Sequence, residues 1–245
     1  MTNVLVIGAT SAIAHAVARH FAAAGDNLFL VGRNPEKLNA VADDLRVHGA
    51  AQVQTFQLDV NDWDRHEEML AAATTAFGPI DVAILAHGVL PDQKTCEQDV
   101  YEMLRAFQTN ALSTMALLTR IANDFEARGR GTIVVISSVA GDRGRQSNYV
   151  YGASKAAVTV FSQGLRNRLA RRGVHVITVK PGMVDTPMTA HMRKGPLFAS
   201  PERVGRDIYQ AILKGKDVVY TPWYWRLIMG VIVHIPERLF KYMRL

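Results

Sequence analysis

The chain has 245 residues, 49% hydrophobic and 20% charged, which is apolar enough for a full core and excludes a disordered chain. The net charge is +6, but the arginines are scattered and no nucleic-acid motif accompanies them. The balance therefore suits an anionic cofactor or a membrane surface, and no nucleic-acid partner is expected. The single cysteine, Cys96, excludes an intrachain disulfide and a cysteine-built metal site, and fits a reducing, cytoplasmic compartment.

In chain order, the first apolar run, 3–7, has no basic region before it and is short, so it reads as a strand and not a signal peptide. Further strands are predicted at 27–31, 53–58, 81–85, 131–137, 174–179 and 217–221, with helical spacing of apolar residues at 11–25, 34–49 and 62–78. Asn34 followed by Pro35 opens one helix, and Gly25, Gly49 and Gly78 each close one. Repeated β-α-β units imply an α/β fold with a parallel sheet covered on both faces. Residues 1–221 form one domain and 222–245 an apolar, basic appendage. No stretch approaches the roughly 20 apolar residues that span a bilayer.

The turn after the first strand reads Gly8-Ala9-Thr10-Ser11-Ala12-Ile13-Ala14. In dinucleotide folds such a turn brings backbone N–H groups to a pyrophosphate at a helix N-terminus, and close approach needs small residues. Ala12 and Ala14 stand where glycines are usual, so the stretch alone equally describes a tight strand-to-helix turn. The second strand ends in Gly32-Arg33, where an NAD site generally places a carboxylate for the ribose 2′-OH. A guanidinium there suits a 2′-phosphate. Asp59 and Val60 follow the third strand, at a strand end where ligands gather.

Tyr149 and Tyr151 lie two residues apart, with Lys155 downstream. Residues four apart share a helix face, so Tyr151, not Tyr149, sits beside the ammonium. A neighbouring positive charge is expected to lower the phenol pKa toward the working range of an acid/base. Ser138 ends an apolar strand at the ligand edge, where a hydroxyl can bond a substrate oxygen, and Ser137 should face the other way.

With "GATSAIA", "ISS", "YGASK" and "KPGMVDTPM" at these spacings, residues 3–221 resemble the short-chain dehydrogenase/reductase family. The resemblance implies a doubly wound, Rossmann-type sheet of seven parallel strands and reversible hydride transfer between NADP(H), or NAD(H), and a carbonyl/alcohol pair. It implies Tyr151 as acid/base, Lys155 as its partner and a ribose ligand, Ser138 as the carbonyl orienter, and Asn110 as support for a proton relay. It also implies cofactor contacts from Gly8, Thr10, Ser11, Ala12, Ile13, Arg33, Asp59 and Val60. Further contacts come from Ala86 and Gly88, although "LAHG" departs from the family's usual Asn-Asn-Ala-Gly. Pro181, Gly182, Val184 and Thr186 complete the set. A homodimer or homotetramer through the helices around 97–127 and 149–172 is implied as well. Within the family, "GATSAIA" and the tail are similar to bacterial reductases of lipid-linked keto-sugars. A catalytically silent dinucleotide-binding or scaffold protein is the alternative, against which the full set of four catalytic residues speaks.

The segment 186–200 should supply the substrate wall, with Met188, Met192, Leu197 and Phe198 suggesting an apolar ligand or ordinary lid packing. The tail has no Asp, Glu, Lys or Arg from Leu227 to Pro236. Trp223, Tyr224 and Trp225 flank it on one side, and Arg238, Lys241 and Arg244 on the other. Aromatic and basic flanks favour a peripheral position on a membrane face. Packing on a partner subunit or over the substrate cleft is the other reading. Pro236 should break the helix.

Overall fold

The computed structural model describes residues 1–243; the predicted tail cation Arg244 lies outside the described residues. The elements run β1 (Asn3–Ile7), α1 (Ala12–Ala23), β2 (Asn27–Gly32), α2 (Pro35–Val47), β3 (Gln52–Gln57), α3 (His66–Phe77), β4 (Val82–Leu85), α4 (Gln93–Gln98), α5 (Val100–Phe107), α6 (Ser113–Arg128), β5 (Gly131–Ile136), α7 (Tyr149–Leu169), β6 (Val174–Pro181), α8 (Pro201–Leu213), β7 (Val218–Thr221), α9 (Tyr224–His234) and α10 (Glu237–Phe240). Every predicted strand is present; the largest difference is β6, which runs on to Pro181. Asn34 accepts a hydrogen bond from the Lys37 N–H at 2.8 Å, capping α2 as its sequence implied.

All seven strands are parallel, in the order β3-β2-β1-β4-β5-β6-β7. The chain winds outward from β1 in one direction, then crosses back to β4 and winds outward in the other. The switch lies between β1 and β4, whose C-terminal ends open a crevice for a ligand. Alternate side chains face opposite layers. Val4, Val6, Leu28 and Leu30 pack with α1, α2 and α8, whereas Leu5, Ile7, Phe29 and Val31 pack with α3, α6 and α7. Helices α1 and α8 are close enough that a Cβ on Gly205 would lie 2.7 Å from Ala16.

Between α5 and α6 the helix does not run straight through. Residues 108–112 form a π-turn, one residue wider than an α-turn. After β7, α9 folds back on the body. Trp225 and Met229 are buried against Val139, with Tyr220, Tyr224, Ile228 and Ile232 around them. The helix stops at His234, before Pro236. Arg143 closes its C-terminal end, donating from Nη1 to the carbonyls of Ile232 at 2.7 Å and Ile235 at 2.6 Å. The same guanidinium pairs with Glu237 at 2.8 Å and stacks 3.7 Å from the centroid of Phe240. Among the described residues no helix is long and apolar enough to cross a membrane.

Candidate active site

The strand ends converge. Ile7 is in register with Leu85, and Leu85 with Val135, so the segments that follow β1, β4 and β5 emerge side by side. Gly8 turns the chain there with φ +81°, and a Cβ on it would lie 2.5 Å from the backbone nitrogen of His87. Only glycine allows that approach. Ser11, the N-cap of α1, makes no side-chain cap bond and no acid stands in the first turn, so the first-turn N–H groups remain for an anion. This opening is lined by Gly8, Thr10, Ser11, Ala12, Ile13, Arg33, Asp59, Val60, Ala86, Gly88 and Thr186. Ala14, the other replaced glycine, is fully buried in the core, where its methyl fills space. Arg33 is 75% exposed at its side chain and 3.8 Å from Asp59, a loose pair that leaves its donors open. A cleft with these parts fits a dinucleotide.

The adjoining cleft holds Ser138, Tyr151, Lys155, Pro181, Gly182 and Val184. Ser138 lies two residues beyond β5 and accepts from the Ala140 N–H at 3.1 Å; its hydroxyl also bonds Tyr151. Ser137 faces away, donating to the Lys155 carbonyl at 3.0 Å. Asn110 is fully buried in the π-turn. It donates to the Val89 carbonyl at 2.9 Å and accepts from the Val89 N–H at 2.7 Å. It thus staples the segment after β4, and a Cβ on Gly88 would lie 2.9 Å from Asn110 Oδ1 and 3.5 Å from Lys155 Nζ.

The electrostatics differ from the expectation. Burial pushes the Tyr151 phenol up to about 12, against the opposing hydrogen bond from Ser138. Lys155 does not lower it. The ammonium is 5.8 Å from the Tyr151 ring centroid and donates at 3.0 Å to the Ile136 carbonyl. Burial also brings Lys155 down to about 8. The spacing places both on one helix face, but the lysine reaches across to β5 and does not fold over the phenol oxygen.

The substrate wall also differs in part. Met188 and Met192 line the cleft, whereas Leu197 and Phe198 do not; Leu197 is exposed and Phe198 lies under Lys194, 4.7 Å from its ring centroid. Met183, Arg145 and Trp225 line it instead. The Trp225 indole fills the space over Gly182, where any Cβ would collide with it. His87 is a further site residue missed in the sequence. Its Nε2 lies 3.0 Å from both Ser113 Oγ and Thr114 Oγ1. Those hydroxyls donate to the Thr109 and Asn110 carbonyls, so Nε2 carries the proton and donates to both. The departure "LAHG" was the signal. A larger cavity, about 860 Å³, lies between β7, α8 and α9 and contains none of the predicted site residues.

A family model described as short chain dehydrogenase matches residues 2–196. An uncharacterized oxidoreductase of Mycobacterium tuberculosis is 37% identical over 240 residues, covering 98% of this chain and 96% of the relative. One from Streptomyces coelicolor is 34% identical, over 98% of this chain and 94% of the relative. Among solved structures, a short-chain dehydrogenase from Sphingobium yanoikuyae in complex with NADPH superposes with a TM-score of 0.82 at 25% identity, over 97% of both chains. The sheet order, the two joined clefts and these relatives agree: the chain belongs to the short-chain dehydrogenase family, NAD(P)-dependent oxidoreductases acting on CH–OH and C=O groups.

Proposed function

We propose that this chain reduces a carbonyl compound to an alcohol with NADPH, on an apolar or lipid-linked substrate. The observation that carries the reading is one cleft wall holding Ser138, hydrogen-bonded Tyr151 and Lys155, continuous with the Gly8-to-Arg33 cleft. The nicotinamide supplies or accepts the hydride. Gly8, Thr10, Ser11, Ala12 and Ile13 hold the diphosphate, and Arg33 the 2′-phosphate. Asp59, Val60, Ala86 and Gly88 flank the adenosine side. Pro181, Gly182, Val184 and Thr186 hold the carboxamide side, and Lys155 the ribose.

The chain's own chemistry is proton transfer. Ser138 orients the carbonyl oxygen. Tyr151, protonated at neutral pH because its phenol is held near 12, gives its proton to the oxygen as negative charge develops. The reverse oxidation needs the phenolate, which burial opposes, so its rate should rise as pH rises. Asn110 holds the Gly88–Val89 segment beside Lys155 and keeps the lysine's approach fixed.

NADPH preference rests on Arg33, and the NADPH bound in the Sphingobium yanoikuyae relative is consistent with it. NADPH oxidation followed over a panel of ketones, with and without detergent, tests the activity. Arg33→Ala should weaken NADPH by about 10- to 100-fold while changing NADH little, since a charge-assisted bond contributes about 1.5–3 kcal/mol. Equal affinity of the wild type for the two cofactors overturns the preference. Exposed Val100, Tyr101, Leu104, Leu112 and Val160 on α5, the π-turn and α7 support a homodimer through these helices. The tail supports peripheral membrane attachment: while Trp225 lines the cleft and Met229 is buried beside it, Trp223, Leu227, Val231 and Leu239 stay exposed on a tail that also carries Arg238 and Lys241.

A further inference from the structure

The catalytic cleft has a charged pole that the reduction does not use. Arg145 lines it, on the loop between Ser138 and α7. Its Nε is buried and has no hydrogen-bond partner among the described residues. Its other contacts are weak: Nη2 is 3.5 Å from the Val139 carbonyl and 3.9 Å from Met229 Sδ. Among the described residues no carboxylate is within ion-pair distance of it. Asp142, the one carboxylate whose field reaches it, is taken by Lys180 at 2.5 Å and by the Tyr220 hydroxyl at 2.8 Å. Burial accordingly destabilises the Arg145 cation.

A second orphan donor lines the same cleft. Trp225 is 3% exposed, and its Nε1–H also has no partner among the described residues. Met229, one turn along α9, packs with Trp225 and lies 3.9 Å from Arg145 Nη2, and Arg145 and Trp225 both line the cleft. Two buried donors without acceptors, one of them cationic, match an anionic oxygen group. Leu90, Met183, Met188 and Met192 give the wall an apolar stretch, beside the polar Asn148 and Thr189.

We infer that Arg145 and Trp225 Nε1 form an anion subsite, and that the substrate is an apolar carbonyl compound bearing a carboxylate or phosphoryl group. Arg145 binds the anion and Trp225 orients it, while Ser138 and Tyr151 take the carbonyl. This rests on the reductase reading for the identity of the cleft, but not for its test.

The test is calorimetric binding of octanoate, octyl phosphate and methyl octanoate to the NADPH-loaded protein, with turnover measured separately on a medium-chain oxo acid and its methyl ester. Octanoate or octyl phosphate should bind at least 10-fold more tightly than the ester, and whichever binds better identifies the group. Arg145→Ala should remove most of that preference. Arg145→Lys should restore part of it, since a point charge replaces a fork, and Trp225→Phe should reduce it a few-fold. In turnover, the acid-over-ester ratio of kcat/KM should fall in Arg145→Ala mainly through KM. If the anions bind no better than the ester, or their advantage survives Arg145→Ala in a protein that still binds NADPH, the inference is overturned. If the anion preference and its loss are seen but no ketone is turned over, the subsite stands and the reductase reading fails.

Discussion

At the scale of single residues, two tyrosines in one helical turn have different fates. Tyr149 is 45% exposed, while Tyr151 reaches the cleft and bonds Ser138. Tyr151→Phe should lower kcat by about 10²- to 10⁴-fold, the usual range for a lost general acid, and leave NADPH binding measured by fluorescence nearly unchanged. Tyr149→Phe should stay within a few-fold of wild type; a dead Tyr149 variant reverses the assignment. The choice between them was legible, because i,i+4 spacing is a property of sequence. The lysine's aim was not, because it depends on where the Ile136 carbonyl lies in the folded sheet. That aim has a thermodynamic consequence. Lys155 titrates near 8 in the folded chain against a reference value near 10.5, so between those values the unfolded chain binds more protons. Its contribution to stability is therefore unfavourable below pH 8 and improves as pH rises. The unfolding free energy of wild type, measured against Lys155→Met by urea titration, should rise between pH 8 and 10. A flat difference shows that the ammonium is better solvated than its burial implies.

At the scale of elements, strands and helix caps were readable because each is specified within a few residues: Asn34 with Pro35, or the apolar runs that became β1 to β7. The π-turn was not, since its apolar spacing matches an ordinary helix and the extra residue shows only in backbone bonding. The tail's two proposed fates were not separable in sequence either. In the structure one face of α9 closes the cleft and the opposite face is open, so packing over the cleft has occurred without consuming the membrane-like features. Arg143 holds this arrangement through the α9 carbonyls, Glu237 and Phe240, although it is separated from them by α7, β6, α8 and β7. Arg143→Ala should free α9 and α10, raising hydrogen exchange over residues 224–240. It should also raise KM, because Trp225 leaves the wall. Unchanged exchange there means that the apolar packing alone secures the tail.

At the scale of the whole molecule, the sheet order follows from alternating strands and helices, and the joined clefts follow from the sheet order. The sequence therefore carried the architecture and the gathering of Ser138, Tyr151 and Lys155 on one cleft together. It did not carry the far wall of the cleft, where Arg145 and Trp225 meet only because the loop after β5 and the chain beyond β7 fold onto each other. The same arrangement turns Leu227 and Val231 outward, 62% and 69% exposed. Flotation with anionic vesicles should recover the wild type at low salt and lose it in a Leu227→Glu, Val231→Glu variant whose ketone reduction is followed in parallel. If wild type and variant both stay at the bottom of the gradient, the outward face is not a lipid-binding surface.

The π-turn makes the site sensitive to the number of residues and not only to their kind. Helices α5 and α6 are out of phase by a single position, about 100° of rotation. Removing one residue other than Asn110 from 108–112 would let them fuse into one regular helix, without the π-turn of the native chain. That shorter protein could keep its heat stability while swinging Asn110 off Val89, and Ser113 and Thr114 off His87. A lineage that lost one codon here would have a sounder helix and an unsupported Lys155.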